Sequence, residues 1–199
     1  MNLRNVALIP LGALVAGAAL LVYADKHAGK LVLGEVAGAA LAAGEQGQVE
    51  GPLYDFNALP EPVKRMMEQI AEAAQSGEIE NLRTVLESNE LKPMVTTAHV
   101  EDPIAFWKKQ SADGAGRDVL AVMLDVISSG FVRTGKGQDE MYVWPYFAET
   151  DLTKLTPAQE VEFYRVVAPA LAVPMKRNGK YAYYRLGISP SGVWHYFLQ

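Results

Sequence analysis

Apolar and polar positions fall into two periods along this chain, and one stretch has no alternation at all. Over residues 63–74, Val63, Met66, Met67, Ile70 and Ala74 recur at three- and four-residue spacing, which places them on one face of a helix. Pro60 and Pro62 stand at its start, and Ser76-Gly77 stops it. Ile79, Leu82, Val85 and Leu86 predict a second helix over about 78–88, with Ser88-Asn89 as its end. Asp102-Pro103 reads as an N-cap followed by proline at the first helical position, opening a short helix that carries Phe106 and Trp107. The loop SADGAG interrupts it. Arg117 to Ser129 is then the most apolar helix of this half, with Gly130 as the expected terminator.

Beyond Gly130 the pattern changes. Of 18 aromatic residues, 13 lie between Phe131 and Phe197, and aromatic and β-branched residues favour strands. Residues 131–133 and 141–147 read as two strands around Thr134-Gly135-Lys136-Gly137. Thr156-Pro157-Ala158-Gln159 resembles a capping box and predicts a helix through about Val167. Ala168-Pro169 and Val173-Pro174 are expected to limit regular structure after it. The chain closes on a predicted hairpin, KYAYYRLGI, SPSG, VWHYFLQ. Pairing Ile188 with Val193 sets Trp194 across from Gly187 and Arg185 across from Tyr196, where a cation–π contact is expected. Helices first and strands later predict an α+β fold, with helices packed on a curved antiparallel sheet, and argue against alternating α/β.

The segment MYVWPYFAE (141–149) raises the main question about a site. Alternation through 141–147 sends Tyr142, Trp144 and Tyr146 to one face and Met141, Val143, Pro145 and Phe147 to the other. Both faces are apolar, so at least one is buried. Pro145 removes a ladder donor and favours an edge or bulge. The Tyr142–Trp144–Tyr146 face is then either core sealed by helices or an aromatic wall for a ligand or partner.

The stretch without alternation is residues 6–24, uncharged and almost wholly apolar after Arg4. As a helix it spans roughly 28 Å at 1.5 Å per residue, close to a hydrocarbon core of about 30 Å. Two readings stay open. Small residues before Asp25 suit signal-peptide cleavage at Ala24/Asp25, whereas the length suits an uncleaved membrane anchor. Both readings place residues 25–199 on the far side of the membrane, the periplasm of a bacterial cell, while Lys26 and Lys30 at the other end of the segment leave the reverse orientation open. The boundaries expected are 1–24 for the signal or anchor, 25–60 for an Ala/Gly-rich tether, and 61–199 for the α+β domain.

Composition narrows the chemistry. A net charge of -5 without a Lys/Arg cluster argues against nucleic acid as a partner. The absence of cysteine removes disulfides, thiolate catalysis and Cys-based zinc sites. The chain contains no GxSxG, Walker A, HExxH or dinucleotide signature, and no cofactor or metal is expected. His99-Val100-Glu101-Asp102 supplies one histidine where a metal needs three or four converging ligands. SADGAGRD (111–118) is the most site-like polar stretch: Asp113, Arg117 and loop amides ahead of a helix suit an anion, while Ser111, Asp113 and Asp118 equally suit helix capping. Trp194 and His195 lie on the terminal strand, where a core histidine outweighs a catalytic base.

The pieces FWKKQSADGAGRDVLAVMLDVI, YVWPYFAE, LTPAQEVEFYRVV and YAYYRLGISPSGVWHYF, in that order within residues 61–199, resemble a family of bacterial exported or membrane-anchored proteins without an established activity. The phrase IAEAAQSGEIENLRTVL resembles the opening helices of nuclear-transport-factor-2-like and cystatin-like folds, which implies a pocket at the open end of a cone-shaped sheet. Three expectations follow. The first is a periplasmic interaction module tethered at the inner membrane, binding a partner protein or envelope component through Tyr142, Trp144, Tyr146 and Trp194. The second is a small-ligand-binding or hydrolase-like enzyme with Asp113, Arg117 or His195 in its pocket. The third is an accessory subunit of a membrane complex held through residues 6–24.

Overall fold

Helix starts in this chain are written by proline and short polar side chains, and the computed structural model places them accordingly. It describes residues 51–199, together with a two-residue antiparallel pairing of β1 (Tyr23–Ala24) with β2 (Leu31–Val32). The expected span or signal at 6–24 and the tether as far as residue 50 otherwise lie outside the described residues. Among the described residues no helix is long and apolar enough to cross a membrane.

The domain is α+β, with six helices and an open four-stranded antiparallel sheet among the described residues. Helix α1 (Glu61–Gln75) has Pro62 in its first turn, where a missing N–H leaves no helical bond unmade, and it buries Val63, Met66, Ile70, Ala73 and Ala74. A 3-10 turn at Ile79–Asn81 leads into α2 (Leu82–Ser88). Helix α3 (Pro103–Gln110) is capped by the Asp102 carboxylate, which accepts from the Ile104 and Ala105 amides at 2.9 and 3.3 Å. Helix α4 (Arg117–Ile127) ends at Ser128, whose N–H donates to the Leu124 carbonyl, and not at Gly130. Gly130 is instead the entry to the sheet, because Phe131, four residues beyond Ile127, pairs with Leu53. The Thr156–Gln159 capping box forms at the start of α5 (Pro157–Val166).

The sheet runs in the order β3 (Val132–Thr134), β4 (Met141–Trp144), β5 (Arg185–Ile188), β6 (Trp194–Leu198). Three expectations are corrected here. The strand expected over 141–147 stops at Trp144, and Tyr146–Glu149 forms a 3-10 turn. Pro145 has no N–H to extend the ladder, so the alternation that linked Tyr146 to Tyr142 and Trp144 ends there. Residues after Ala168 are not irregular: Pro169 opens α6 (Pro169–Asn178), and Pro174 sits inside it. Pro169 costs nothing at the first position, while Pro174 forgoes one bond, to the Ala170 carbonyl, and the helix continues on either side.

The third correction concerns the terminal hairpin. Ile188 pairs with Trp194, and a bulge between Gly187 and Ile188 then sets Gly187 across from Tyr196 and Arg185 across from Leu198. The expected Arg185–Tyr196 pairing is therefore not made. The extra residue, His195, changes the parity of β6, so Trp194 and Phe197 both reach Trp107 of α3. A β-carbon on Gly187 would lie 2.3 Å from Tyr196 Cζ, so the bare glycine is what lets that ring lie across the neighbouring strand.

Both margins of the sheet meet partners from within the domain. Leu53 exchanges two backbone bonds with Phe131 at 2.8 and 3.0 Å. On the far edge, the Asn89 side-chain amide donates to the Trp194 carbonyl and its oxygen accepts the Trp194 N–H, at 2.8 and 2.9 Å. Met94 then bonds to the His195 carbonyl and the Phe197 amide. These contacts occupy edge groups that would otherwise template another strand. They also carry the domain boundary back from residue 61. Leu53 is in the sheet margin, Phe56 lies 5.7 Å from the Phe131 ring, and Leu59 is buried.

Candidate functional site

The aromatic face is core. Tyr142 is 7 % exposed, and Trp144, Tyr146 and Trp194 are each 0 % exposed. Phe131 packs on Trp144 and Tyr142 at 5.2 and 6.2 Å, and Tyr146 packs on Phe147 at 4.1 Å. Trp194 stacks on Trp107 at 6.0 Å and donates its indole N–H to the Tyr196 carbonyl. None of the four side chains presents a surface that a ligand or partner can touch in this fold. Their number reflects the need to seal a four-stranded sheet with bulky side chains from α3, α4 and α5.

Asp113 and Arg117 stand elsewhere, on the exposed loop ahead of α4, and the loop is closed on itself. Asp113 accepts the amides of Ala115 and Gly116 at 2.8 and 2.9 Å and the Ser111 hydroxyl. Asp118 accepts the Ala112 and Val119 amides, and it shares the single Ser111 hydroxyl proton with Asp113. These donors hold the Asp113 carboxyl far below the usual carboxylate range, the Ser111 hydroxyl most of all. The amides proposed for an anion are thus spent on internal carboxylates, and Arg117 ion-pairs with Asp113 and Glu78. The loop is a capped helix entry. His195 is half-buried on β6, and His99 lies on a loop with no metal-competent cluster among the described residues.

Two polar features had no sequence signal. The first is Glu162 of α5, whose carboxylate accepts from Tyr54 Oη (2.8 Å), Tyr146 Oη (3.1 Å) and the Gly130 amide (3.1 Å). Burial pushes the Tyr146 phenol up strongly, reinforced by its bond with Tyr54 and by the Glu162 charge. Next to it, Asp125, Ser128, Glu162 and Arg165 line a cavity of about 30 Å³, the space of a single water. This node ties the entry segment, the end of α4, the 3-10 turn and α5 together. It is too small for a substrate.

The second is a groove of about 410 Å³ between α1 and α2, lined by Gln69, Glu72, Ser76, Asn81, Thr84 and Ser88 among others. Its hydroxyls are largely engaged: Ser76 donates to the Ala73 carbonyl and accepts from Asn81, and Ser88 donates to Val85. Neither cavity is lined by a strand residue or by any of the six candidates Tyr142, Trp144, Tyr146, Trp194, Arg117 and Asp113.

The feature that does face solvent is apolar. Seven large hydrophobic side chains are exposed among the described residues, and four of them, Val161, Tyr164, Leu171 and Val173, belong to α5 and α6. Inward positions of the same helices, Phe163, Val166, Ala172 and Met175, are buried. Both helices are therefore apolar on two sides, which a helix resting on one core does not require. Ala170 and Pro174 extend the outer arc of α6. Lys176 spans the pair, bonding Glu160 at 2.6 Å and lying 5.4 Å over the Tyr164 ring. No protein-family model matches the chain, and no match is found among curated proteins or solved structures.

Proposed function

We propose that this chain is a non-enzymatic interaction module of the periplasm, held at the inner membrane by residues 6–24, and that it engages an envelope component through the outer face of α5 and α6. The carrying observation is the gathering of four of the seven large exposed hydrophobics on that helix pair. Single exposed apolar side chains are ordinary, but a contiguous group on neighbouring helices marks an interaction surface. The enzyme reading has less support, because neither cavity described above is lined by Asp113, Arg117, His195 or the aromatic core.

N-terminal sequencing of the protein from membrane and soluble fractions tests the tether. An intact Met1 in the membrane fraction is expected, and a start at Asp25 in the soluble fraction would replace the anchor by secretion. Leu171→Ser with Val173→Ser, both on solvent-exposed positions, tests the surface. Unchanged folding with loss of envelope association is expected. Association untouched by the pair would remove α5–α6 from the function.

A further inference from the structure

We infer that the occupant of the α5–α6 face is an anionic lipid headgroup surface, a reading that rests on the interaction face proposed above and names what covers it. Successive residues of a helix turn by about 100°. With Ala172 and Met175 turned into the core, Ala170, Val173, Pro174 and Arg177 share the outward arc of α6, and Leu171 lies on its flank. On α5, Val161, Tyr164 and Arg165 point outward while Phe163 and Val166 are buried. The result is an exposed apolar arc edged by cations, as in helices that lie in a membrane interface.

Charge is the second and independent observation. The chain is acidic overall at -5, yet residues 163–199 contain five Lys/Arg and no Asp or Glu. The two carboxylates of α5 and that of Asp151 are already engaged. Glu160 is held by Lys176 at 2.6 Å, and Glu162 is turned inward onto Tyr54, Tyr146 and the Gly130 amide. Asp151, beside Gly179 at the end of α6, is bound to Thr153 and Lys154. Arg165 is drawn towards Asp125 and counts for less. Arg177 and Lys180, at the end of α6 and just past it, are exposed and make no ion pair among the described residues. An exposed apolar arc with unpaired cations at one end fits the negative potential of an anionic leaflet. Tyr164, part apolar and part polar, suits headgroup depth.

The absence of cysteine allows a single reporter to be placed without background. The full chain is prepared with Val173→Cys or, as a control on exposed α1, Glu68→Cys. Each is labelled with an environment-sensitive fluorophore and incorporated into vesicles of phosphatidylcholine alone or with phosphatidylglycerol. The label at 173 is expected to shift to the blue and to be quenched by lipid-borne quencher only in phosphatidylglycerol vesicles, while the label at 68 stays in water. Arg177→Gln with Lys180→Gln should weaken this docking about twenty-five-fold, at roughly fivefold per cation. A label at 173 that stays hydrated on anionic vesicles overturns the lipid inference. If Leu171→Ser with Val173→Ser then still abolishes envelope association, the face serves a protein and only the lipid occupant is lost. If that pair also has no effect, the interaction face itself is lost.

Discussion

Single side chains in this domain act mostly by satisfying polar groups that burial would otherwise leave unpaired. Glu162 does this for three donors at once. Glu162→Ala strips the partner from the fully buried Tyr146 hydroxyl and from the Gly130 amide, and is expected to cost about 2–3 kcal/mol in urea unfolding. Tyr146→Phe in the same background should recover part of that loss, since one orphan is removed with it. Asp151 illustrates the exposed case. The Thr153 hydroxyl and amide, then Lys154, lower its carboxyl to about 2. A depressed carboxylate contributes in full above its unfolded value of about 3.9, and that contribution is lost as pH falls through about 2. The Asp151 carboxyl followed by NMR is expected to titrate near 2, and Thr153→Val should move the midpoint towards the ordinary range. Gly192 is held at φ +87°, with the Pro62 carbonyl 2.7 Å from where a β-carbon would stand. Its turn leaves no room for alanine against the backbone of α1.

At the scale of elements, the hairpin depends on a side chain far away in sequence. Asn89 offers one donor and one acceptor to the backbone of Trp194 and so stands in for a neighbouring strand. Asn89→Ala is expected to destabilise the domain by about 1–2 kcal/mol and to raise amide exchange at Trp194 first. Asn89→Asp, which keeps the acceptor but not the donor, should fall between the two. Measurement of amide exchange across β6 decides it. The bulge at His195 has the larger consequence, because it turns Trp194 and Phe197 to the same side and closes the sheet on Trp107. The paired prolines around α6 make the opposite point. Proline at a helix start is permissive, and one lost bond within ten residues did not outweigh burial of Ala172 and Met175.

For the whole molecule, the contacts of Leu53, Phe56 and Leu59 make residues 53–60 part of the domain rather than tether. A chain cut to 61–199 loses the Leu53–Phe131 ladder, the Phe56 ring contact and buried Leu59. It is expected to unfold at lower urea than one cut to 51–199, by about 3–5 kcal/mol. Equal midpoints would return that segment to the tether. The α5–α6 face is the other property of the whole. It combines exposed apolar positions from two helices with cations at the end of one, and no single element carries it.

The sequence by itself determined the elements whose signals are local. Helical spacing from Val63 to Ala74, the Asp102-Pro103 start and the Thr156–Gln159 box act within one or two turns, and each forms where its residues stand. The α+β class followed from segregated composition. Tertiary structure decided whatever depends on partners distant in the chain. The register of β5 with β6 turned on one bulge, since a period of two reverses every face when one residue is added. Glu162 has no neighbour in sequence that marks it, and its three donors come from 16 to 108 residues away. Exposure settled MYVWPYFAE: apolar alternation required burial of at least one face, and packing of Phe131, Phe147 and the helices buried both. The outer faces of α5 and α6 went unnoticed for the same physical reason. An apolar position on a helix has the same letter whether a core covers it or solvent does, and only the position of the neighbouring elements distinguishes the two.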